Sequence, residues 1–137
     1  MKKYLTVLIF LFVSTVTISA QKWADPSPAV GQNASITYRN NSEYTMTLKI
    51  IKPYGGLYTI ITLYPHSSRT VEFSSTSNYS MKIKAVRNGK ASYHDGGMFS
   101  VTCNNYEWTE GVMEFKLSTY GSGLGPTISE REFESNN

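Results

Sequence analysis

Tyr79-Ser80-Met81-Lys82-Ile83-Lys84-Ala85-Val86-Arg87-Asn88-Gly89-Lys90-Ala91-Ser92-Tyr93 holds two short runs joined by a two-residue turn. Met81, Ile83 and Ala85 alternate with Lys82 and Lys84, the period of a strand with one face on a core and the other in water. Asn88-Gly89 suits the two central positions of a type I′ turn, where both residues take positive φ, so the stretch predicts a β-hairpin.

The pattern repeats on either side. Tyr44, Met46, Leu48 and Ile50 share one face of an extended segment while Thr45, Thr47 and Lys49 share the other. Runs rich in Thr, Val, Ile, Tyr and Phe occupy 34–39, 44–51, 57–63, 68–74, 79–86, 90–93, 98–103 and 112–118. Turn residues close them: Asn40-Asn41-Ser42, Pro53-Tyr54-Gly55-Gly56 and Pro65-His66-Ser67. Seven or eight strands at this spacing, with no helical run between them, predict an all-β fold: a small antiparallel β-sandwich, immunoglobulin-like or related. The disulfide and intervening core tryptophan of true immunoglobulin domains are missing.

The chain begins Met1-Lys2-Lys3, continues with an apolar run from Leu5 to Val13 and reaches Ile18-Ser19-Ala20. That is the layout of a secretory signal peptide over 1–20, with cleavage expected after Ala20. The apolar run is too short to span a bilayer, which takes roughly 20 residues. A secreted, periplasmic or cell-surface product with no membrane span is expected. Of the 137 residues and formal charge of +3, loss of the leader with Lys2 and Lys3 leaves about +1, which gives no nucleic-acid footprint.

Residues 21–33, with Pro26, Pro28 and Gly31, read as a loose N-terminal arm ahead of a domain over 34–118. Gly121, Ser122, Gly123 and Gly125 before Pro126 read as a linker within 119–137. Ser129 and Glu132 then fit a capping box, and Ile128 with Phe133 a hydrophobic staple, so a short C-terminal helix is predicted. One or two turns need a docking surface, which makes Ile128, Glu132 and Phe133 candidate partner-docking residues.

The single cysteine, Cys103, follows Phe99 and Val101 at alternate positions and reads as a small packed side chain. His94-Asp95-Gly96-Gly97 reads as a turn rather than a metal site, since neighbours on a strand point opposite ways. Lys82, Lys84, Arg87 and Lys90 form a basic stripe, read as a charged sheet edge that resists aggregation. Asp95, Glu107, Glu110 and Glu114 show no spacing that favours hydrolysis. Asn33, Asn40 and Asn78 open Asn-x-Ser triplets, whose number is what the Ser and Thr content gives by chance. No catalytic residue, metal site or cofactor is assigned.

Ten tyrosines, nine of them after the leader, and two tryptophans give a high aromatic load. Those in predicted loops or on polar faces are the ligand-binding candidates: Tyr54, Tyr58, Tyr93, Tyr106 and Trp108. Tyr106 and Trp108, two apart, are expected to project together. The expectation is an exported, non-enzymatic interaction protein of the cell envelope or exterior, holding a partner protein through its sheet face, loops or C-terminal tail. The alternative is a carbohydrate-binding module using exposed Tyr and Trp.

Overall fold

The computed structural model describes residues 3–7, 14–23, 33–116 and 124–137. Its elements are β1 (Lys3–Val7), β2 (Ser14–Trp23), β3 (Ala34–Asn41), β4 (Thr45–Ile51), β5 (Leu57–Leu63), β6 (Ser68–Phe73), β7 (Ser77–Arg87), β8 (Lys90–Val101), β9 (Glu107–Lys116) and α1 (Glu130–Glu134). Two sheets pack as a sandwich. One has the order β5-β4-β7-β8; the other has β6-β3-β9, continued outward from β9 by β2 and β1.

The predicted sandwich is therefore present. Its strands are shared out differently from the immunoglobulin arrangement, in which the first, second, fourth and fifth strands of seven form one sheet. Counting from β3, the first, fourth and seventh form one sheet here. β3 and β9 run parallel, from Ser35↔Glu110 to Asn41↔Lys116, and every other strand pairing among the described residues is antiparallel.

Alternation builds the core between the sheets. Ala34, Ile36 and Tyr38 of β3, Met46, Leu48 and Ile50 of β4, Met81, Ile83 and Ala85 of β7, and Met113 and Phe115 of β9 are all buried. At the corner between β3 and β4 the sequence suggests a turn at Asn40. Instead β3 runs on to Asn41, and the buried Asn40 ties the β3–β4 and β5–β6 connections together. The two hydrogens of its Nδ2 are shared among the carbonyls of Tyr44 (2.6 Å), Leu63 (3.1 Å) and Tyr64 (3.1 Å), and its Oδ1 accepts from the Ser42 hydroxyl (2.6 Å).

The Asn88-Gly89 hairpin forms as expected, with φ of 53° and 75° and Arg87 opposite Lys90. The expected turn at 94–97 does not. The runs 90–93 and 98–103 join into one strand, and the glycines make a β-bulge: Met81 pairs with Gly97 and Lys82 with Asp95, leaving Gly96 as the extra residue. A side chain at Gly96 would press within 3.1 Å of the Met81 carbonyl oxygen, and Gly97 sits at φ 84° with its N–H bonded to Asp95 Oδ1.

The last strand starts five residues earlier than the sequence suggested, at Glu107. Of the expected loose arm, Gln21 to Trp23 belong to β2, paired with Thr109 to Glu107; 24–32 lie outside the described residues. The expected cleavage point after Ala20 falls inside β2. Gly121, Ser122 and Gly123 of the expected linker also lie outside the described residues, as do 117–120.

Most of the basic stripe is not on an edge: Lys82, Lys84 and Arg87 lie on β7, and Lys90 alone lies on the edge strand β8. β7 is an inner strand between β4 and β8, and Lys82 is 8% exposed; on β4, Lys49 is 4% exposed. The face expected to be wet is covered by the C-terminal segment. Pro126 O accepts from Asp95 N, Ile128 N donates to Tyr93 O, and His94 and Thr127 form a β-bridge, so 126–128 lie along the outer edge of β8. Gly125 is needed for that approach: its φ is 101°, and a Cβ there would drive into the Asp95 carbonyl oxygen. α1 then lies across the sheet, its N-cap Ser129 accepting from Glu132 N at 3.0 Å as the capping box predicts.

Two lysines hold the other end of α1. Lys49 Nζ donates to the carbonyls of Phe133 (2.8 Å), Glu134 (3.2 Å) and Ser135 (3.3 Å), and Lys82 Nζ to those of Glu132 (2.7 Å) and Ser135 (2.9 Å). Cations suit a helix C-terminus, where carbonyls lack intrahelical donors. Burial and the neighbouring Lys82 draw the Lys49 ammonium below its ordinary value, with Glu134 opposing.

Candidate functional site

Antiparallel connectivity gathers alternate loops at one end of the sandwich. The β4–β5, β6–β7 and β8–β9 connections share an end, and the hairpin at Asn88-Gly89 lies at the other. Thr76 fastens two of these loops, accepting from Cys103 N at 2.8 Å and donating to Cys103 O at 3.2 Å.

The β4–β5 turn is built on glycines. Gly55 and Gly56 have φ of 89° and 93°; Gly55 N bonds to Lys52 O, and Lys52 N to Gly56 O. This lifts Tyr54 to the apex, where it is 99% exposed. Asn136 O accepts from Gly56 N at 2.7 Å, so the end of the tail braces the same turn.

Below the apex an open cleft of about 330 Å³ is lined by Tyr54, Tyr58, Tyr79, Ser75, Ser77 and Lys52. Its floor is rigid. Tyr58 stacks on Phe73 (centroids 5.1 Å, planes 12° apart) and meets Tyr79 edge-on at 5.1 Å, while its hydroxyl donates to Glu72 O at 2.7 Å. Tyr79 packs in turn on Phe73 and Phe99. Burial raises the phenols of both Tyr58 and Tyr79; the serines at 77 and 75 act against the shift at Tyr79. Both rings thus present neutral hydroxyls at physiological pH. The cleft combines one open aromatic face, fixed rings, serine hydroxyls and a single cation, a donor and acceptor set suited to a neutral polyhydroxylated ligand.

Two of the five aromatic candidates, Tyr54 and Tyr58, meet in this cleft. Tyr106 lies at the same end, but in a turn before β9, where Asn104 Oδ1 accepts from the N–H groups of Tyr106 and Glu107. Trp108 is in β9, packed on the core with its indole N–H bonded to Glu110 Oε1 at 3.1 Å. The expected pair on one extended segment is therefore split between a turn and a strand. Tyr93 lies on the outer face of the other sheet, 5.3 Å from the Phe133 ring. Half-buried Cys103 packs against the core beside Trp108.

The tail candidates are engaged within the chain. Phe133 is 5% exposed beneath Lys49 and Tyr93, Ile128 pairs with Tyr93, and the Glu132 carbonyl binds Lys82. Lys52, Ser75, Ser77 and Tyr79 were not singled out from the sequence. The polar run Ser74-Ser75-Thr76-Ser77 carries a usable signal, because loops that share an end with the Tyr54 turn must border it.

His94 is buried, with Nδ1 on Gly125 O and Nε2 on the Ser92 hydroxyl, which fits a structural role. Glu107, Glu110 and Glu114 follow one another along β9 while Asp95 lies in the other sheet. Among the described residues no three of His, Cys, Asp and Glu gather as a metal site would require. A second open cleft, about 380 Å³, lies at the hairpin end between Tyr44, Arg87, Lys90 and Ser92, with the Arg87 guanidinium 5.6 Å from the Tyr44 ring.

No protein-family model matches the chain, and no curated protein or solved structure shows a match to it.

Proposed function

We propose that the protein is an exported, non-enzymatic binding module that takes a neutral saccharide in the cleft beneath Tyr54. The observation that carries this reading is a tyrosine at 99% exposure, poised on a glycine turn over two immobilised tyrosines and two serines. An exposed ring is a ready stacking surface for the C–H face of a pyranose, and fixed hydroxyls below it select orientation at little entropic cost. The leader at 1–20 supports export, where extracellular and envelope glycans are met.

The reading that the tail captures a partner protein has less support, because Phe133 is already buried on its own domain. The test is a screen of the exported product against immobilised neutral oligosaccharides, with Tyr54→Ala beside it. Retention of one glycan class, weakened about tenfold or more in Tyr54→Ala with the melting temperature unchanged, is the expected result. No retained glycan, or retention indifferent to Tyr54, overturns the proposal.

A further inference from the structure

Among the described residues the outer edge of β9 is covered only by β2: Ser14 pairs with Phe115, Thr15 with Glu114, Val16 with Met113, Thr17 with Val112 and Ala20 with Glu110. Cleavage after Ala20 removes all five partners and leaves Gln21 to Trp23 against the first residues of β9. From Glu110 to Lys116 the product then carries a row of unpaired backbone donors and acceptors. The outer edge of β8, by contrast, is blunted by 126–128 of the tail. We infer that in the exported protein this β9 edge pairs antiparallel with the β9 edge of a second copy of the chain, an inference that rests on the leader being removed.

The sequence of β9 selects the register. Thr109, Met113 and Phe115 face the core, which puts Glu110, Val112, Glu114 and Lys116 on the outer face. A two-fold axis at Val112 sets Glu110 opposite Glu114 twice, and an axis at Glu114 sets that carboxylate against its own copy. An axis at Met113 sets Glu110 opposite Lys116 twice, so only this register among the three has opposite charges across the strands. It also places Phe115 beside Gly111, which has no side chain to obstruct it. Lys116 lies 3.2 Å from Glu114 of its own strand, yet its side chain is 60% exposed and has room to turn toward the partner. The joined sheet is six-stranded, β6-β3-β9 continued by β9-β3-β6, and closed by its symmetry.

A single strand pair buries less than a standard interface, so dissociation in the micromolar to millimolar range is expected. The test takes the exported product from the expressing cell, fixes its N-terminus by mass spectrometry and measures sedimentation equilibrium up to millimolar protein. The expected result is a dimer that weakens about tenfold or more in Lys116→Glu and is restored in the Glu110→Lys, Lys116→Glu double variant. Should Lys116→Glu fail to fold, Glu110→Lys carries the same charge test. A product beginning at Gln21 that stays monomeric overturns the inference while leaving export intact. A dimer indifferent to these charges also overturns it. A product that keeps 1–20 overturns the leader reading and, with it, the open edge. Saccharide retention is read separately at the β4–β5 and β6–β7 loops, so the cleft proposal stands or falls on its own result.

Discussion

Replacing Tyr38 by Phe removes a single atom from the centre of the core. Tyr38 is 0% exposed on β3, its ring edge-on to Phe99 at 6.4 Å, and its hydroxyl is buried with no hydrogen-bond partner among the described residues. An unpaired buried hydroxyl costs about 1–3 kcal/mol, whereas the ring packs the same way in Phe. Tyr38→Phe is therefore expected to stabilise the fold by about 1 kcal/mol, after allowance for the small void left by the oxygen. For a domain of this size the melting temperature should rise by about 3–6 °C. The same atom leaves an alkaline signature. Burial, and then Tyr58 and Tyr79, hold the Tyr38 phenol well above its ordinary value. Above about pH 10 an unfolded chain sheds that proton while the fold retains it. The stability is full below the unfolded value and is lost as pH climbs toward the folded one. In Tyr38→Phe this part of the decline disappears, so its advantage over the wild type widens as pH rises past about 10. Urea unfolding at neutral and alkaline pH, followed by tryptophan fluorescence, measures both effects. A loss of 1 kcal/mol or more at neutral pH would refute the reasoning, since it would mean that the hydroxyl is paired, for example to a buried water.

Phe133→Ala should detach the tail without unfolding the sandwich. Losing a buried Phe costs about 3–5 kcal/mol, more than a five-residue helix can supply on its own. Amide hydrogen exchange is expected to lose protection over 126–136 and keep it in β4 and β7; collapse of both together would contradict the separation of tail from core. Asn40→Ala removes a side chain that pairs three carbonyls and a hydroxyl at the β3–β4 corner, and should cost about 2–4 kcal/mol in urea unfolding. A cost below about 1 kcal/mol would show those carbonyls finding water instead.

What the sequence made legible was local. Alternation in 44–51 and 79–86 and the positive-φ demand of Asn88-Gly89 each act within one strand or turn, and the structure has them. Gly96-Gly97 misled because glycines mark a bulge as readily as a turn; the difference is set by Met81, fifteen residues back on another strand. Lys49 and Lys82 read as wet because their cover comes from residues 84 and 50 positions downstream. The capping box predicted α1 correctly, yet nothing within 128–134 states where the helix docks. The candidate site was half legible: a glycine turn exposes Tyr54 by local geometry, whereas Tyr79 and the serines join it only through the strand order. The parallel contact of β3 with β9 is likewise a long-range event that no local pattern records.

The tail and the cleft are linked by one hydrogen bond, which yields a sharper prediction than removal of the tail. Asn136 O accepts from Gly56 N at 2.7 Å, on the turn that carries Tyr54, although no tail residue lines the cleft among the described residues. Deleting Asn136 and Asn137 leaves α1 and Phe133 in place, puts the terminal carboxylate on Ser135 where Lys49 and Lys82 already bind its carbonyl, loses the exposed Asn137 N–H bond to the Ser135 hydroxyl, and frees the Gly56 N–H, which water can then bind. The fold should lose little. The turn gives up a bond worth about 0.5–1.5 kcal/mol of preorganisation, so saccharide retention is expected to weaken about two- to tenfold. Titration of the glycan found in the screen against both chains measures it. Equal affinity would mean that Gly55 and Gly56 hold the turn through Lys52 alone, and that the tail has no part in positioning Tyr54.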